Sequence, residues 1–310
     1  MIETLQLPPV AEQKLPQGVF DSITSMMLND SDWIEGPKGL VSYGFTDTNT
    51  TEAIDMVIPA EFGNELDPPT ARRLASRAVA FAAGSKFNIR NILILPAPGR
   101  FAGHYSGEVG KDNPLGDLAQ SYSDMLEPIL GEKSAVIYGC SQGAAIAPHL
   151  AKQLPEGSCS HLVALEPPNV VNRGRIALLQ AMGQHPDWKT QAMAGLPDNF
   201  RQNLIGPGSN TSFFLGALTV ANYRLPGPNG MGSDRFAETI SGLSDSIQTI
   251  VAWATDSAIS PNEIMRGLVL PNGLIRVIFS PSDGETLGHP VTNNLIVAHE
   301  LGKIAGRAPR

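Results

Sequence analysis

The sequence predicts an α/β protein in three layers, with a mostly parallel sheet covered by helices on both faces. From about residue 53 onward, short apolar runs alternate with longer segments of helical periodicity. Such alternation is typical of right-handed strand–helix–strand crossovers, which build parallel sheets. The alternation stops between 167 and 243 and then returns, so we expect a helical lid inserted into a single α/β domain.

The predicted strands are apolar runs short enough to be buried in a sheet. They are residues 39–45, 54–58, 92–95, 135–138, 162–165, 247–252 and 274–279. The predicted helices carry apolar side chains three or four residues apart, which places them on one face. They are residues 19–28, 69–86, 115–130, 143–154 and 291–305.

These elements divide the chain into three parts. We expect an N-terminal extension over 1–38, a core formed by 39–166 and 244–310, and the lid over 167–243. The lid is rich in methionine and aromatic side chains, which either pack among themselves or line an apolar substrate pocket. Its candidate substrate-binding residues are Trp188 and Phe213, with Met182, Met193, Phe214 and Met231 beside them in the sequence.

Charge and cysteine content exclude several classes of protein. The chain has 22 Lys and Arg against 30 Asp and Glu and lacks a basic run, so we expect no nucleic-acid partner. Its apolar runs are too short to span a membrane, and its first residues do not resemble a secretory signal, so we expect a cytoplasmic protein. Cys140 and Cys159 fit neither a disulfide framework nor a metal-ligand spacing, and we expect no metal and no cofactor.

The strongest local signal is Gly139-Cys140-Ser141-Gln142-Gly143, which follows a predicted strand and precedes a predicted helix. A G-x-S-x-G sequence in this context favours a sharp turn that exposes the serine at the edge of a sheet. Ser141 is therefore the candidate nucleophile. Cys140 is interpreted as a small residue packed beneath the turn, and a thiol nucleophile in its place is the alternative.

A serine hydroxyl needs a histidine to take its proton. Of the six histidines, His289 lies in a loop after the last predicted strand and downstream of Ser141. It is the candidate base. His104 lies in a loop near the edge of the sheet and is a candidate substrate contact, since functional side chains are common on such loops. We expect structural or surface roles for His149, His161, His185 and His299.

A carboxylate must orient the histidine. Asp256 comes just after a predicted strand, where a parallel sheet presents such residues at its carboxyl edge, and it is the first candidate. Glu166 ends the preceding strand, and Asp283 lies six residues before His289. Both remain alternatives.

The segments G-C-S-Q-G (139–143), W-A-T-D-S-A-I-S-P (253–261) and L-G-H-P (287–290) resemble the α/β-hydrolase superfamily, in its order of Ser, Asp and His. The resemblance extends from about residue 39 to the C-terminus. It implies an oxyanion hole formed by the backbone N–H of Gln142 and by a second donor in the loop after the superfamily's third strand. In this sequence that loop is 59–64, where Phe62 is the favoured donor, with Glu61 and Asn64 as neighbours.

Two further details of the resemblance concern loops and the elbow. Residues 96–106 are similar to the glycine-rich turn after the superfamily's fourth strand, but lack its usual aspartate. Gln142 beside the serine is similar to the G-x-S-Q-G of cutinase-like and acyl-thioesterase-like members. The likeness at Gln142 does not name a substrate, and the superfamily resemblance as a whole implies a small-molecule ester or thioester.

Three functions are compatible with these observations. The first is a serine hydrolase that cleaves a carboxylic ester or thioester through an acyl-enzyme. The second is an NAD(P)-dependent oxidoreductase with its glycine-rich turn at 139–143 and Glu166 as the ribose-binding acid, although four predicted strands precede that turn. The third is a hydrolase-shaped binding protein without turnover.

Overall fold

The computed structural model describes most of the chain in separate ranges. These ranges are 2–28, 33–35, 41–44, 53–59, 68–95, 114–131, 133–170, 180–181, 233–271, 274–282, 286–288, 291–292 and 294–307.

A single twisted sheet contains every strand in these ranges. The strands are β1 (Ile2–Leu7), β2 (Trp33–Glu35), β3 (Val41–Gly44), β4 (Ile54–Pro59), β5 (Ile89–Leu95), β6 (Ala135–Cys140), β7 (Cys159–Leu165), β8 (Gln248–Ala254) and β9 (Ile275–Pro281). Their order across the sheet is β1-β9-β8-β7-β6-β4-β5-β3-β2. The seven strands from β1 to β5 in this order are parallel, and β3 and β2 close the far edge with antiparallel pairing.

Helices cover both faces of this sheet. They are α1 (Gln17–Leu28), α2 (Pro68–Ser85), α3 (Pro114–Leu130), α4 (Gln142–Gln153), α5 (Ser233–Ser241), α6 (Asn262–Gly267) and α7 (Leu295–Ala305). Short 3-10 turns at Val10–Glu12 and Pro168–Val170 connect them to the strands. None of the helices that the structure describes has the length and apolar character needed to cross a bilayer.

Alternating side chains of the central strands divide the core between the two faces. In β6, Val136 and Tyr138 belong to the cluster that includes residues of α1, α2 and α7. Ala135 and Ile137 point to the opposite side, into the cluster formed with α3 and α4. Residues of α5 and α6 pack on the β7–β9 part of the sheet around the buried Trp253. This two-sided burial is what a parallel sheet requires, and it confirms the predicted three-layer α/β class.

Several elements differ from the sequence-based expectation, and β2 and α6 match no predicted strand or helix. Ile2–Leu7, within the expected N-terminal extension, forms edge strand β1 and pairs with β9. Helix α7 begins at Leu295, four residues later than expected, because Asn294 caps it by accepting from the N–H groups of Ile296 and Val297. At the end of the expected lid, α5 packs on the sheet as part of the β7-to-β8 crossover. Most other residues of 167–243 lie outside the described ranges, so the lid stays a prediction.

Candidate active site

Ser141 occupies the turn between β6 and α4, at the carboxyl edge of the sheet. Its backbone has φ 52° and ψ −122°, a conformation that non-glycine residues rarely adopt. The turn is held on both sides, because the Ser141 N–H donates to the carbonyl oxygen of Leu165 at 2.9 Å and the Ser141 carbonyl accepts from Ala144 N–H at 2.9 Å. Such strain costs about 1–3 kcal/mol and persists where the surroundings fix it.

The two motif glycines are required by close backbone contacts within this turn. A Cβ on Gly143 would lie 2.6 Å from the carbonyl oxygen of Pro59, the last residue of β4. A Cβ on Gly139 would collide with the carbonyl oxygen of Gly143. The G-x-S-x-G spacing therefore lets the turn close on itself and lets α4 begin directly against β4.

Gln142 is buried and is the first residue of α4. The first N–H groups of a helix lack acceptors within the helix, and the helix dipole adds positive potential at that end. This end of α4 can therefore stabilise an oxyanion next to Ser141. The contact between Gly143 and Pro59 places the end of β4 beside the turn, and Phe62, Glu61 and Asn64 lie outside the described residues.

Asp256 follows β8 and reaches to the segment just before His289. Its two carboxylate oxygens accept from the backbone N–H groups of Leu287 at 2.8 Å and Gly288 at 2.9 Å. Gly288 has φ 53°, the left-handed conformation that glycine adopts without strain. Asp256 thus fixes the backbone immediately upstream of His289, which itself lies outside the described residues.

The segment just after His289 is held at the nucleophile turn. The sulfur of Cys140 donates to the carbonyl oxygen of Thr292, with 3.8 Å between sulfur and oxygen. Gly288 and Thr292 are four Cα–Cα steps apart, which is at most about 15 Å. The chain on either side of His289 is therefore anchored to Asp256 on one side and to the residue before Ser141 on the other. Cys140 is buried, as a packed residue beneath the turn should be.

Glu166 is the second carboxylate at this edge of the sheet. It is fully buried and has φ 58°. One of its carboxylate oxygens accepts from Ala254 N–H at 2.6 Å, and the other accepts a short hydrogen bond from the hydroxyl of Ser257. The carbonyl oxygen of Leu165 accepts from the Ser141 N–H, and Glu166 is the next residue along the chain. Glu166 therefore lies beside the nucleophile turn. The other rival acid, Asp283, lies outside the described residues.

The remaining described histidines have contacts away from this edge. His149 lies 3.4 Å from the hydroxyl of Thr239, His161 lies 2.9 Å from that of Ser160, and His299 is buried in α7 beside Glu300. Cys159 is buried at the start of β7, and burial raises the pKa of its thiol to about 12. Within the described part of the chain, His, Cys, Asp and Glu side chains form no group of three or more suited to a metal ion.

Some predicted residues have no described position, and one contact was not predicted. His104, His185, Trp188 and Phe213 all lie outside the described residues, together with Met182, Met193, Phe214 and Met231. The hydrogen bond from Ser257 to Glu166 joins residues 91 positions apart. No sequence motif marks such a pair, so it becomes visible only when the ends of β7 and β8 are side by side.

Comparisons with known proteins show which fold this is. No family model matches the chain, and no curated protein matches its sequence. Among solved structures, an acetylester hydrolase from Corynebacterium glutamicum is 13% identical with a TM-score of 0.54, over 89% of this chain and 94% of that one. A peroxisomal α/β-hydrolase from Saccharomyces cerevisiae is 13% identical with a TM-score of 0.52, over 87% of this chain and 83% of that one.

A third similar structure is a membrane phospholipase A described as a bacterial virulence factor. It is 14% identical with a TM-score of 0.51, over 94% of this chain and 92% of that one. At these identities the similarity concerns the fold, which extends over nearly the whole chain. Together with the strand order and the turn at Ser141, these similarities show that the chain has the α/β-hydrolase fold.

Proposed function

We propose that this protein is a serine hydrolase that cleaves a carboxylic ester or thioester. One observation carries the proposal: Ser141 occupies a strained turn at the start of α4, and the backbone on both sides of His289 is bound to residues at the same edge of the sheet. A surface serine in an ordinary loop has neither feature. Cleavage of an ester by such a site needs only water and the side chains and backbone of the chain itself.

In the proposed reaction, Ser141 Oγ attacks the substrate carbonyl carbon while His289 takes the hydroxyl proton. The bond from carbon to the leaving oxygen or sulfur then breaks, and His289 returns the proton to the leaving group. Water releases the acyl group from Ser141 by the same steps. The backbone N–H of Gln142, at the positive end of α4, stabilises the oxyanion, with Phe62 as the proposed second donor.

Asp256 is the proposed carboxylate that orients His289. Its two bonds to Leu287 and Gly288 bring it next to the backbone that leads into His289, which supports the assignment. A carboxylate oxygen has two lone-pair sites, so each oxygen can accept a further bond from an imidazole N–H. Glu166 remains the competing assignment, because it is buried and lies closer along the sheet to Ser141.

The names of the similar structures are consistent with ester chemistry. One is an acetylester hydrolase and another is a phospholipase A, and both names describe hydrolysis of carboxylic esters. In this chain, the methionine and aromatic side chains of the predicted lid, including Trp188 and Phe213, would form the acyl pocket, and His104 would contact the substrate. The substrate is accordingly expected to carry an apolar acyl group.

The dinucleotide-binding alternative gains no support from the described contacts. In a dinucleotide site the glycines make room for a pyrophosphate, and an acidic side chain binds the ribose. Here Gly139 and Gly143 allow close packing of the protein's own backbone, at Gly143 and at Pro59. The Glu166 carboxylate is buried and bonded to Ala254 and Ser257. Neither feature leaves a group directed at a nucleotide.

Hydrolysis of p-nitrophenyl esters of graded chain length, beside matching acyl thioesters, tests the proposal. We expect turnover by the parent protein and its loss in Ser141→Ala. Quenching of protein fluorescence by NADPH, in place of ester turnover, would favour the oxidoreductase. Tight binding of an ester without release of product would favour the non-catalytic binding protein.

A further inference from the structure

The carboxylate of Glu166 binds the chain on both sides of Asp256. It accepts from the N–H of Ala254, two residues before Asp256, and from the hydroxyl of Ser257, one residue after it. The turn that carries Asp256 is therefore attached to the end of β7 at two points. Asp256 itself is solvent-exposed, and its carboxylate accepts from the backbone N–H groups of Leu287 and Gly288.

Ser257 is the centre of this attachment. While its hydroxyl donates to Glu166, its oxygen accepts from the N–H groups of Ile259 at 3.2 Å and Ser260 at 3.0 Å. Ser260 in turn donates its hydroxyl to the carbonyl oxygen of Pro167 at 3.0 Å. Ser257, Ser260 and Glu166 are all buried, so water competes weakly for these bonds.

We propose that Ser257 is a positioning residue of the active site, whose hydroxyl ties the turn carrying Asp256 to the buried Glu166 and so aims Asp256 at the histidine loop. This proposal rests on the proposed hydrolase function. Because Asp256 is exposed, little packing fixes its side chain, and its direction depends on the backbone that carries it. Ser257 holds that backbone through its bond to Glu166. Small losses of alignment reduce catalysis strongly, because the reacting groups must stay in near-attack geometry.

Ser257→Ala tests the proposal, with Ser260→Ala as the matched control. Both serines are buried in the same turn and both donate to the end of β7, but Ser257 alone of the two bonds to the Glu166 carboxylate. We expect Ser257→Ala to lower kcat about tenfold with KM changed less than about twofold. Ser260→Ala should change kcat less than about twofold, and Ser257→Thr, which keeps a hydroxyl, should recover most of the lost kcat.

A second measurement does not depend on turnover. Amide hydrogen exchange over 286–288 reports whether Asp256 still holds the N–H groups of Leu287 and Gly288. Exchange there should be at least about tenfold faster in Ser257→Ala than in the parent and Ser260→Ala, with circular dichroism and the rest of the exchange pattern unchanged. Equal exchange in the two serine variants would overturn the proposal.

A double-variant cycle identifies Glu166 as the group through which Ser257 acts. In a Glu166→Gln background, Ser257→Ala should lower kcat by less than about threefold, because the hydrogen bond between residues 257 and 166 is already weakened. The same tenfold loss in both backgrounds would overturn the proposal. If the parent protein hydrolyses no ester, the proposed function fails, and the exchange measurement still decides whether Ser257 holds the turn.

Discussion

The sulfur of Cys140 lies 3.8 Å from the carbonyl oxygen of Thr292 and donates to it. The residue before the candidate nucleophile thus touches the segment that follows the candidate base. At the other end of that segment, Gly288 is bound by Asp256. These two contacts join residues far apart in the sequence and concentrate the predicted chemistry at the carboxyl edge of the sheet.

Replacing Cys140 distinguishes a packing role from a catalytic thiol. The buried thiol contacts a backbone carbonyl, so Cys140→Ala should lower stability by about 1 kcal/mol and keep at least about a tenth of the ester turnover. Ser141→Ala should lower turnover by about 10⁴-fold or more. Steady-state rates with a short p-nitrophenyl ester measure both. Loss of activity in Cys140→Ala with activity kept in Ser141→Ala would make Cys140 the nucleophile.

Gly143→Ala should destabilise the fold as well as the site. Its Cβ would lie 2.6 Å from the carbonyl oxygen of Pro59, and backbone on both sides must move to relieve the contact. We expect a loss of about 1–3 kcal/mol in the free energy of unfolding, measured by chemical denaturation. Gly18→Ala is the control, since Gly18 lies in the first turn of α1 with nothing within 4 Å of the added Cβ. It should be neutral or stabilising by up to about 1 kcal/mol.

Comparing kcat among three carboxylate variants shows which carboxylate orients His289. Asp256→Asn keeps the shape of the side chain but removes the charge that stabilises an imidazolium, so kcat should fall by about 10²-fold or more. Glu166→Gln should lower kcat about tenfold, because it loosens the turn that carries Asp256. Asp283→Asn should leave kcat within about twofold. A larger loss in Glu166→Gln than in Asp256→Asn would move the acid to Glu166, and full activity in both with loss in Asp283→Asn would move it to Asp283.

Glu300 in α7 predicts a pH dependence of stability. The His299 imidazole, 3.6 Å from the Glu300 carboxylate, together with the hydrogen bond and charge of Lys303 at 2.6 Å, lowers the pKa of the Glu300 carboxyl to about 2, although burial acts in the opposite direction. A lowered folded-state pKa adds stability above the usual pKa of 4.5, and that stability is lost as the pH falls from 4.5 towards 2. Because the pair is partly solvated, the contribution at pH 7 is about 1 kcal/mol or less.

Denaturation of Glu300→Gln between pH 7 and pH 2 measures this contribution. The variant should be less stable than the parent at pH 7, and the difference should shrink below pH 4.5. Glu263→Gln, at an exposed position of α6, is the control. A difference that grows as the pH falls would contradict the assigned direction.

Local patterns predicted those parts of the fold that local forces determine. The sequence predicts strands β4 to β9 because burial on both faces makes them apolar throughout, and it predicts helices α2 to α4 because burial on one face gives them helical spacing of apolar side chains. The half-exposed β1 has no such local signal, since its strand conformation depends on pairing with β9 near the other end of the sequence. The sequence places α5 within the expected lid, because its short amphipathic pattern directly follows a glycine-rich, polar stretch that has no strand–helix alternation.

The candidate site shows the same division. The turn at Ser141 follows from Gly139 and Gly143, whose necessity is visible in the motif and explained by their contacts with backbone. The bond between Ser257 and Glu166 depends on the ends of two strands meeting, which a single sequence does not encode in any local pattern. Sequence therefore predicts the nucleophile and the candidates for its partners, whereas the sheet shows which of the described partners are anchored together.

Labelling with a fluorophosphonate is the most direct test of the central claim, that Ser141 is an activated nucleophile. The parent protein, Ser141→Ala and Cys140→Ala should be treated with a stoichiometric excess of the reagent at pH 7.5, and the adduct located by peptide mass spectrometry. We expect one adduct per chain, on Ser141, in the parent and in Cys140→Ala, and no adduct in Ser141→Ala. An unlabelled parent protein, or an adduct that persists in Ser141→Ala, would contradict this claim.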